Sequence, residues 1–525
     1  MNIVQVLDCT LRDGGYCNQW RFGRKNISAI VDGLCKAGVQ IVECGFLTNR
    51  VDYSPDVTKF TDLQQVKAFL PAGRGDKMFV VMLNHGEYDI ERLQDCKDTP
   101  IDGIRLAFHK KDRIAALETC RRMKEKGYKV FVQAMVSLSY TDEEFLDTIR
   151  RVNAIGPYAF YIVDSFGMMK QRDLTRLFYM VEHNLNADIL IGFHSHNNMQ
   201  LAYSNAQALA GLRTNRDLII DASVYGMGRG AGNLNTELFV EYLNENHGGQ
   251  YQLPPLLNLI DEILSGFHER NYWGYSLPNY ISAIHNAHPN YAGYLDDKHT
   301  LTVEDMNRIF SSMDEEKKVT YDKAYMEGLY LRYMEEGREH TKHLANLRAA
   351  LAERSVLLIA PGKSVAEQRQ IIQDFIAAQS PITISVNFAP ADISPDFIFV
   401  SNLRRFRGIA PENYGRCIAT SNISAAGVYL QPKYADLLSE LEAVRDNAGL
   451  MAVKLMLMLG VKHVYLAGFD GFSHESSENY ADGTMAQITR NSLLDAMNAG
   501  MQQALRAFAR EISITFLTTP RHITL

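Results

Sequence analysis

The segment IVQVLDCTLRDGGY, residues 3–16, joins a short apolar, β-branched run to a cluster of polar and glycine residues. Similar runs recur over the first 230 residues, where they alternate with stretches of helical period. This alternation is typical of βα units around a parallel sheet. We predict strands at Ile3–Leu7, Gln40–Phe46, Met78–Leu83, Gly103–Phe108, Lys129–Val136, Phe160–Val163, Ile189–Phe193 and Leu218–Val224.

The repeating pattern predicts the fold class. Eight strands with eight intervening helices predict a TIM (β/α)8 barrel, and a doubly wound open sheet is the alternative that shares the local pattern. Helical period is clear over Ser28–Lys36 and Asp112–Lys126, and Gly127 has the position of a helix C-cap. We therefore expect an α/β protein with a barrel over residues 1–250.

Two further patterns follow the barrel. Residues 251–354 lack β-type runs, so we expect a helical extension that ends in an exposed helix or linker over Glu335–Arg354. A second α/β pattern starts at Ser355, with apolar runs in SVLLIAPGKS, ITISVNF, DFIFVSN, GRCIATS and HVYLAGFDGF. Residues 355–525 are therefore expected to form a Rossmann-like α/β domain.

Composition excludes several classes of protein. The chain of 525 residues is 46% hydrophobic and 22% charged, which is typical of a globular protein with more than one domain. Its net charge is −7 and it has no basic block, so we expect no nucleic-acid partner. No run approaches a membrane helix and the first residues lack a signal-peptide pattern, so we expect a cytoplasmic protein without membrane contact. Seven scattered cysteines without CxxC pairs are expected to be mostly buried thiols.

Polar residues follow the carboxyl ends of the predicted strands, which is where the active site of a TIM barrel lies. These candidate site residues are Arg12, Asp13, Tyr16, Glu43, His109, Ser165, His194 and His196. His194 and His196 are two residues apart on an extended strand, so both imidazoles point to one face and can reach one metal ion. Asp13 would complete a set of two histidines and one carboxylate, which leaves open positions for a substrate. The alternative is that the two histidines only make hydrogen bonds.

Arg12 is next to the candidate metal ligand Asp13. A guanidinium beside a metal can stabilise the negative charge that develops on a substrate oxygen when an enolate forms. The alternative role is a salt bridge to Glu43 or Asp164.

A glycine-rich turn, Gly226–Asn233, follows the last predicted barrel strand. Its backbone N–H groups are candidates for binding an anion. The turn also matches GxGxxA, but a dinucleotide site requires this motif after the first strand and an acidic residue about 20 positions later. We therefore do not expect NAD here.

The motifs LDCTLRDGG, DSFG, GFHSHNN and DASVYGMGRGAGN, taken together, resemble those of the DRE-TIM metallolyases. Within that superfamily residues 1–240 are similar to the class II pyruvate-type aldolases, the 4-hydroxy-2-oxovalerate aldolase-like enzymes. The resemblance implies that Mn²⁺ or Mg²⁺ is held by Asp13, His194 and His196. It also implies that Arg12 stabilises the pyruvate enolate. Ser165 would hold the substrate carboxylate or oxygen, and Asn233 would lie near the metal.

One residue departs from the family pattern. Those aldolases have a histidine base after RDGx, and this chain has Tyr16. A tyrosine with a pKa near 10 is a poor base at neutral pH unless its surroundings lower that value. Either the base lies elsewhere, with His109 as the best candidate, or the substrate is different.

The expected function is that of a divalent-metal-dependent aldolase or carbon–carbon lyase that acts on a 2-oxo acid through an enolate. Its partners would be a small 2-oxo acid and an aldehyde, with Arg12, Ser165 and Glu43 as candidate substrate-binding residues. A sugar-derived substrate and assembly into a homo-oligomer are left open. The alternatives are a Claisen-type condensing transferase on the same barrel and a non-catalytic barrel that supports the C-terminal domain.

The C-terminal domain has its own candidate ligand. PGKS, residues 361–364, suggests a phosphate loop, but a Walker A motif requires glycine where this chain has Leu357, so we do not expect an NTPase. The strand and loop sequences resemble the nucleotide-binding folds of some bacterial sugar-transferring proteins. A nucleotide or nucleotide sugar is therefore the candidate ligand, and Cys417 is expected to be a buried thiol.

Overall fold

The computed structural model describes residues 3–335, 342–351, 354–390, 392–423, 425–485 and 489–524. The chain divides into two compact units. The first contains Met1–Gly293 and Asp314–Tyr321, and the second contains Tyr294–Met313 and Asp322–Leu525.

A closed parallel barrel forms the centre of the first unit. The strand order is β1-β9-β8-β7-β6-β5-β4-β2-β3, and the additional pairing of β1 with β2 closes the barrel and leaves the two-residue β3 outside it. The predicted TIM barrel is confirmed. The strands are β1 (Val4–Asp8), β2 (Ile41–Leu47), β3 (Lys59–Phe60), β4 (Met78–Asn84), β5 (Gly103–Phe108), β6 (Lys129–Ala134), β7 (Ala159–Asp164), β8 (Leu190–Ser195) and β9 (Leu218–Ala222).

The barrel strands are buried on both faces, which explains their nearly continuous apolar sequence. One apolar cluster fills the barrel interior, and a much larger cluster lies between the strands and the surrounding helices. Side chains alternate between these two faces along each strand. Inside the barrel, Gly192 faces the ring of Tyr161, and a Cβ at Gly192 would lie 2.2 Å from it. The next inward residue of β8 is His194.

Helices follow most barrel strands. The predicted helices at Ser28–Lys36 and Asp112–Lys126 correspond to α3 and α4, and Gly127 has the positive φ of 89° that ends a helix. The helices of this part are α1 (Thr10–Asp13), α2 (Gly15–Asn18), α3 (Arg24–Ala37), α4 (Arg113–Glu125), α5 (Asp142–Ile155), α6 (Gln171–Asn184), α7 (Ala202–Ala210) and α8 (Thr236–Asn246).

The expectation of a helix in every connection is wrong at two places. The chain between β2 and β4 contains β3 and the 3₁₀ helix Leu63–Phe69, and the chain between β4 and β5 contains only 3₁₀ turns. Both connections carry proline or several glycines, at Pro71, Gly73, Gly75 and Pro100. These residues disfavour a longer α-helix.

Helices continue beyond the barrel, as the absence of β-type runs predicts. They are α9 (Leu253–Leu259), α10 (Ser265–Arg270), α11 (Leu277–Ile284), α12 (Pro289–Asp296), α13 (Val303–Ser311), α14 (Glu315–Lys318), α15 (Lys323–Glu335) and α16 (Lys342–Leu351). Of the predicted exposed helix or linker at 335–354, residues 336–341 and 352–353 lie outside the described part of the chain.

An open parallel sheet forms the core of the second unit, in the order β13-β12-β11-β10-β14-β15. Its strands are β10 (Val356–Ile359), β11 (Ile382–Val386), β12 (Phe397–Val400), β13 (Cys417–Ala419), β14 (His463–Ala467) and β15 (Ser513–Phe516). The helices are α17 (Ser364–Glu367), α18 (Arg369–Gln379), α19 (Leu403–Phe406), α20 (Tyr434–Leu437), α21 (Ala448–Met458) and α22 (Asn491–Phe508). Only β15 among the described strands of this sheet lacks a sequence prediction, because it is a half-exposed edge strand without an apolar run.

None of the described helices has the length and apolar character needed to span a bilayer. The seven cysteines are free thiols: Cys9, Cys44, Cys120 and Cys417 are buried, and Cys17, Cys35 and Cys96 are half-buried.

Candidate metal centre and active site

The carboxyl ends of β1 and β8 bring together three side chains of types that bind metal ions. Asp13 belongs to α1, which directly follows β1, and His194 and His196 lie at the end of β8. One ligand atom from each of these three residues lies within 4.8 Å of the other two. Nε2 of His194 is 3.6 Å and Nε2 of His196 is 3.9 Å from Oδ2 of Asp13. All three side chains are buried, so they form a compact set of ligands for a single cation.

Asp221, on β9, orients one of these ligands. Its Oδ2 lies 2.9 Å from Nδ1 of His194. The contact places the imidazole proton on Nδ1 and leaves the lone pair on Nε2, the nitrogen that faces Asp13. A carboxylate behind a histidine is the usual arrangement at metal sites, because it sets the tautomer and the orientation of the ring. The residues present therefore fit a divalent metal.

Arg12 lies between the metal-binding carboxylate and Glu43. Its Nε donates to Oε2 of Glu43 at 2.8 Å, and its Nη1 donates to Asp13. Its Nη2 is buried and has no hydrogen-bond partner among the described residues. Arg12 thus forms the salt bridge that the sequence left as its alternative role, and it still has a free N–H₂ group beside the metal ligands.

Arg105, on β5, supports this arrangement from below. It has no solvent exposure, its Nη1 donates to Oε2 of Glu43 at 2.8 Å, and its Nη2 donates to Asp221. Glu43 is equally buried and lies beneath Arg12. Ion pairs and hydrogen bonds therefore join Arg12, Glu43, Arg105, Asp221 and His194 into one buried network, which we call the charge network.

Burial and ion pairing act in opposite directions on the ligands. Burial alone would raise the pKa of Asp13, but the Arg12 guanidinium together with His196 and His194 outweighs burial and holds this pKa well below its usual range. Burial lowers the pKa of His196 to about 3. For His194 burial would lower the pKa, but the hydrogen bonds to Asp13 and Asp221 outweigh it and raise the value. At neutral pH the site therefore contains an ionised Asp13 and a neutral His196, the forms that bind a cation.

Asn233 lies against the candidate metal ligands. It pairs with His196 in an antiparallel bridge, and its Nδ2 donates to the carbonyl of Met227. Its Oδ1 is buried and has no partner among the described residues. A Cβ at Gly228 would lie 2.2 Å from Nδ2 of Asn233 and 3.1 Å from Oδ1 of Asp13. The glycine turn thus allows the backbone to approach the metal ligands closely.

Most N–H groups of the glycine turn have protein acceptors. The N–H of Arg229 donates to Oδ1 of Asp13 at 3.3 Å, and that of Ala231 donates to Oδ1 of Asn198 at 2.8 Å. The N–H groups of Gly232 and Asn233 donate to carbonyls of the same turn. The main role of this turn is therefore to hold Asp13 and Asn233, rather than to bind an anion through its backbone.

Ser165 follows β7 and lies at the same rim. Its Oγ accepts a hydrogen bond from the N–H of Val136 at 2.9 Å. The hydroxyl proton remains available for a substrate oxygen. Val136 has a φ of 51°, an unusual value for a β-branched residue, and such strain is typical of functional sites.

Tyr16 lies at the mouth of the site. Its partly exposed ring packs edge-on against Trp20 and Phe46, with ring centroids 4.7 and 6.5 Å apart, and the guanidinium carbon of Arg229 is 5.2 Å from its centroid. Desolvation by this packing raises the pKa of Tyr16 above 10. The surroundings therefore make Tyr16 a weaker acid and do not prepare it to act as a base.

His109 follows β5 and is half-buried. Burial lowers the pKa of His109, and the charge of Arg229 lowers it further. The imidazole is therefore neutral at pH 7 and able to accept a proton.

Sequence reasoning missed three residues of the site. Arg105 and Asp221 stand in the middle of apolar runs, where a lone charged residue inside a predicted buried strand is the available signal. His288 lies in the chain after the barrel, and no sequence pattern indicates that it reaches the strand ends. In the structure its Nε2 is 3.4 Å from Nη1 of Arg229 and its ring packs edge-on against Phe166.

Comparisons with known proteins agree with this fold. Residues 3–260 match the family model described as HMGL-like. The chain is 29% identical over 246 residues to a 4-hydroxy-2-oxovalerate aldolase of Geobacillus genomosp. 3. The matched region covers 46% of this chain and 70% of that protein. It is 27% identical over 252 residues to a protein of the same name from Pseudoalteromonas translucida (strain TAC 125), with 47% and 72% covered. A crystal structure described as the N-terminal domain of a putative aldolase from Bacteroides vulgatus superposes with a TM-score of 0.50 and 27% identity, over 58% of this chain and 99% of that one.

The closed barrel and the three buried side chains define the class of the first unit, a (β/α)8 barrel with a candidate metal site at the carboxyl ends of its strands. Residues 3–260 are a domain of the HMGL-like family. The resemblance inferred from the sequence motifs is confirmed.

We expect replacement of a metal ligand to weaken metal binding without affecting the fold. Asp13→Asn keeps the size of the side chain and removes the charge, so the affinity for Mn²⁺ should fall by roughly 100-fold or more. Titration calorimetry of the full chain measures this change. Asp142→Asn, at an exposed ion pair with Arg176, is the matched control and should bind Mn²⁺ like the wild type. Equal Mn²⁺ affinities for Asp13→Asn and the wild type would contradict the assignment.

Proposed function

We propose that residues 1–250 form a divalent-metal-dependent aldolase that cleaves or forms a carbon–carbon bond next to a 2-oxo acid, with pyruvate as the enolised product. The observation that carries this proposal is the free Nη2 group of Arg12, which is buried beside Asp13, His194 and His196. A buried donor without a partner is costly unless a ligand oxygen satisfies it. The HMGL-like family and the aldolase names of its relatives support the same function.

When bound by Asp13, His194 and His196, Mn²⁺ or Mg²⁺ supplies Lewis-acid stabilisation of a 2-oxo acid. Arg12 then donates from Nη2 to the C2 oxygen as negative charge develops there. Glu43 and Asp13 hold the guanidinium in one orientation, so this donor is positioned before the reaction begins. In this arrangement Glu43 positions Arg12, while Ser165 is placed to donate its hydroxyl proton to the substrate carboxylate.

His109 is proposed as the base that replaces the histidine of related aldolases. In the cleavage direction it takes the proton of the C4 hydroxyl, the C3–C4 bond breaks, and the electron pair moves to the enolate. An aldehyde leaves, and a proton added at C3 gives the 2-oxo acid. Tyr16, Trp20 and Phe46 form an aromatic wall at the mouth that limits access of water.

The buried charge network is an argument against a barrel that has lost catalysis. It keeps several charged groups out of water, and such groups are costly unless they are paired. A scaffold gains nothing from burying these charged groups. In an aldolase the buried ion pairs hold Arg12 and His194 in position. In this proposal residues 251–354 are the helical extension and residues 355–525 carry a second ligand site.

The second unit has a cavity of about 150 Å³ in a position that suits a nucleotide or nucleotide sugar. It lies where the loops after β10 and β14, Ala360–Gly362 and Gly468–Phe472, come together. The strand order reverses between these two strands, which is where ligands bind in open α/β sheets. Arg405 lines the cavity and makes no ion pair with a described carboxylate, and the first residues of α21 lie beside it. These features favour an anionic ligand such as a phosphate group.

Pyruvate enolisation tests the aldolase proposal without knowledge of the aldehyde. We expect the wild type with Mn²⁺ to exchange the methyl protons of pyruvate for deuterium, as followed by NMR, and Asp13→Ala to lose this activity. Arg12→Ala should slow exchange by roughly 10²–10³-fold, the usual loss for a donor that stabilises a developing oxyanion. A small effect of Arg12→Ala would argue against its role, and absence of exchange in the wild type would contradict the function.

The pH dependence tests His109. Since the neutral imidazole is the base, kcat/KM for cleavage of a 4-hydroxy-2-oxo acid should fall as the pH drops through the pKa of His109, which burial places below 6.5. His109→Asn should reduce kcat/KM by roughly 10²-fold or more and remove this acidic limb. Its Mn²⁺ affinity should stay unchanged. Retention of the acidic limb in His109→Asn would assign the base to another group.

A nucleotide titration tests the second unit. We expect UDP or UDP-glucose to bind the full chain in calorimetry, and Arg405→Gln to weaken binding by roughly 10-fold, since it removes a charged donor from the cavity. The exposed neighbour Arg407→Gln is the control and should bind like the wild type. Failure of nucleotides to bind, or equal binding by Arg405→Gln, would contradict this assignment.

A further inference from the structure

The side chain of Arg229 occupies the mouth of the barrel without a counter-ion among the described residues. Its Nη1 is 3.4 Å from Nε2 of His288, and its Nη2 is 3.4 Å from the carbonyl of Ser165. Its Nε is buried and has no partner, and the guanidinium makes no ion pair with a carboxylate in the described part of the chain. A cation held this way in a partly buried place is costly unless an anion joins it.

The backbone of Arg229 fixes this cation close to the metal ligands. Its N–H donates to Oδ1 of Asp13 at 3.3 Å, and its guanidinium packs over the ring of Tyr16. The guanidinium is therefore placed between the metal ligands and the mouth of the barrel.

His288 presents a second donor toward the same space. Its Nδ1 accepts a hydrogen bond from the N–H of Asn290 at 3.2 Å. Burial lowers the pKa of His288 to about 2, so the ring is neutral and its single proton is on Nε2. Nε2 of His288 and Nη1 of Arg229 are then both donors, and two donors 3.4 Å apart do not satisfy each other.

An oxygen with negative charge satisfies both groups at once. Arginine binds carboxylates in a planar fork, and a neutral imidazole N–H adds a donor from the side. We propose that Arg229 and His288 form a subsite that binds a carboxylate group of the ligand beside the metal centre. The inference rests on the proposed aldolase function, and it defines the substrate class as one with a carboxylate at this position.

Two parts of the substrate can supply that carboxylate. One is the carboxylate of the 2-oxo acid itself, since Ser165 contacts Arg229 through its carbonyl. The other is an acidic group on the aldehyde, which would make the aldol substrate a dicarboxylate. When Arg229 loses its charge, the first source leads to a change in the KM for pyruvate and the second to a change in kcat/KM for the acidic aldehyde.

The test uses the full chain with Mn²⁺ and the variants Arg229→Gln and Arg229→Lys. The pair of aldehydes is succinic semialdehyde and butanal, which have the same number of carbons and differ in the carboxylate. If the subsite binds the 2-oxo acid, Arg229→Gln raises the KM for pyruvate in deuterium exchange by roughly 10- to 100-fold. If it binds the aldehyde, pyruvate exchange stays unchanged, and kcat/KM for succinic semialdehyde falls by the same factor while that for butanal does not. Arg229→Lys should restore part of either loss, because it keeps the charge and loses the fork.

A binding measurement keeps this inference separate from the proposed function. Calorimetry with pyruvate and with succinic semialdehyde compares the wild type with Arg229→Gln, whether or not the protein enolises pyruvate. Arg172→Gln, at an exposed position, is the control and should bind like the wild type. The subsite is overturned if Arg229→Gln binds both anions like the wild type, or if the wild type binds neither. Absence of exchange in a wild type that still binds an anion through Arg229 would overturn only the aldolase function.

Discussion

Arg105 has no contact with solvent, so its charge must be neutralised by ion pairs inside the barrel. These ion pairs fix the positions of the other charged side chains of the site. Its guanidinium donates to Glu43 on one side and to Asp221 on the other. Glu43 then accepts from Arg12, and Asp221 lies against Nδ1 of His194. Through these two carboxylates one buried cation therefore holds both Arg12, the proposed oxyanion donor, and His194, a candidate metal ligand. Removal of a single partner from such a network typically lowers the free energy of unfolding by about 3–5 kcal/mol, because another charge is left buried and unpaired.

The charge network has a fixed depth because it is built on strands. Glu43, Arg105 and Asp221 lie on β2, β5 and β9 and point into the barrel. Below them the interior is apolar, and above them the strands end at Asp13, His194 and His196. The carboxylates of the network and of Asp13 outnumber the two guanidiniums, so the buried site retains a negative charge that suits a divalent cation.

The mouth of the barrel is built differently from its interior. Arg229 comes from the glycine turn after β9, Tyr16 comes from a short helix after β1, and His288 comes from the extension beyond the barrel. Loops and extensions vary more freely than barrel strands, because few buried contacts depend on them. In the proposed mechanism the strands thus carry the metal and enolate chemistry, and the segments at the mouth select the ligand.

The sequence by itself determined the barrel, the sheet of the second unit and the set of candidate metal ligands. Alternation of apolar runs and helical stretches is a local property, and spacing such as that of His194 and His196 places side chains on one face of a strand. Polar residues at strand ends therefore indicate Asp13, Arg12 and Ser165 from the sequence alone. Only the tertiary structure decided that Arg105 joins Glu43 to Asp221, that Glu43 holds Arg12 from below, and that His288 meets Arg229. These contacts join residues 31 to 116 positions apart, and such pairings depend on the closure of the barrel rather than on any local pattern.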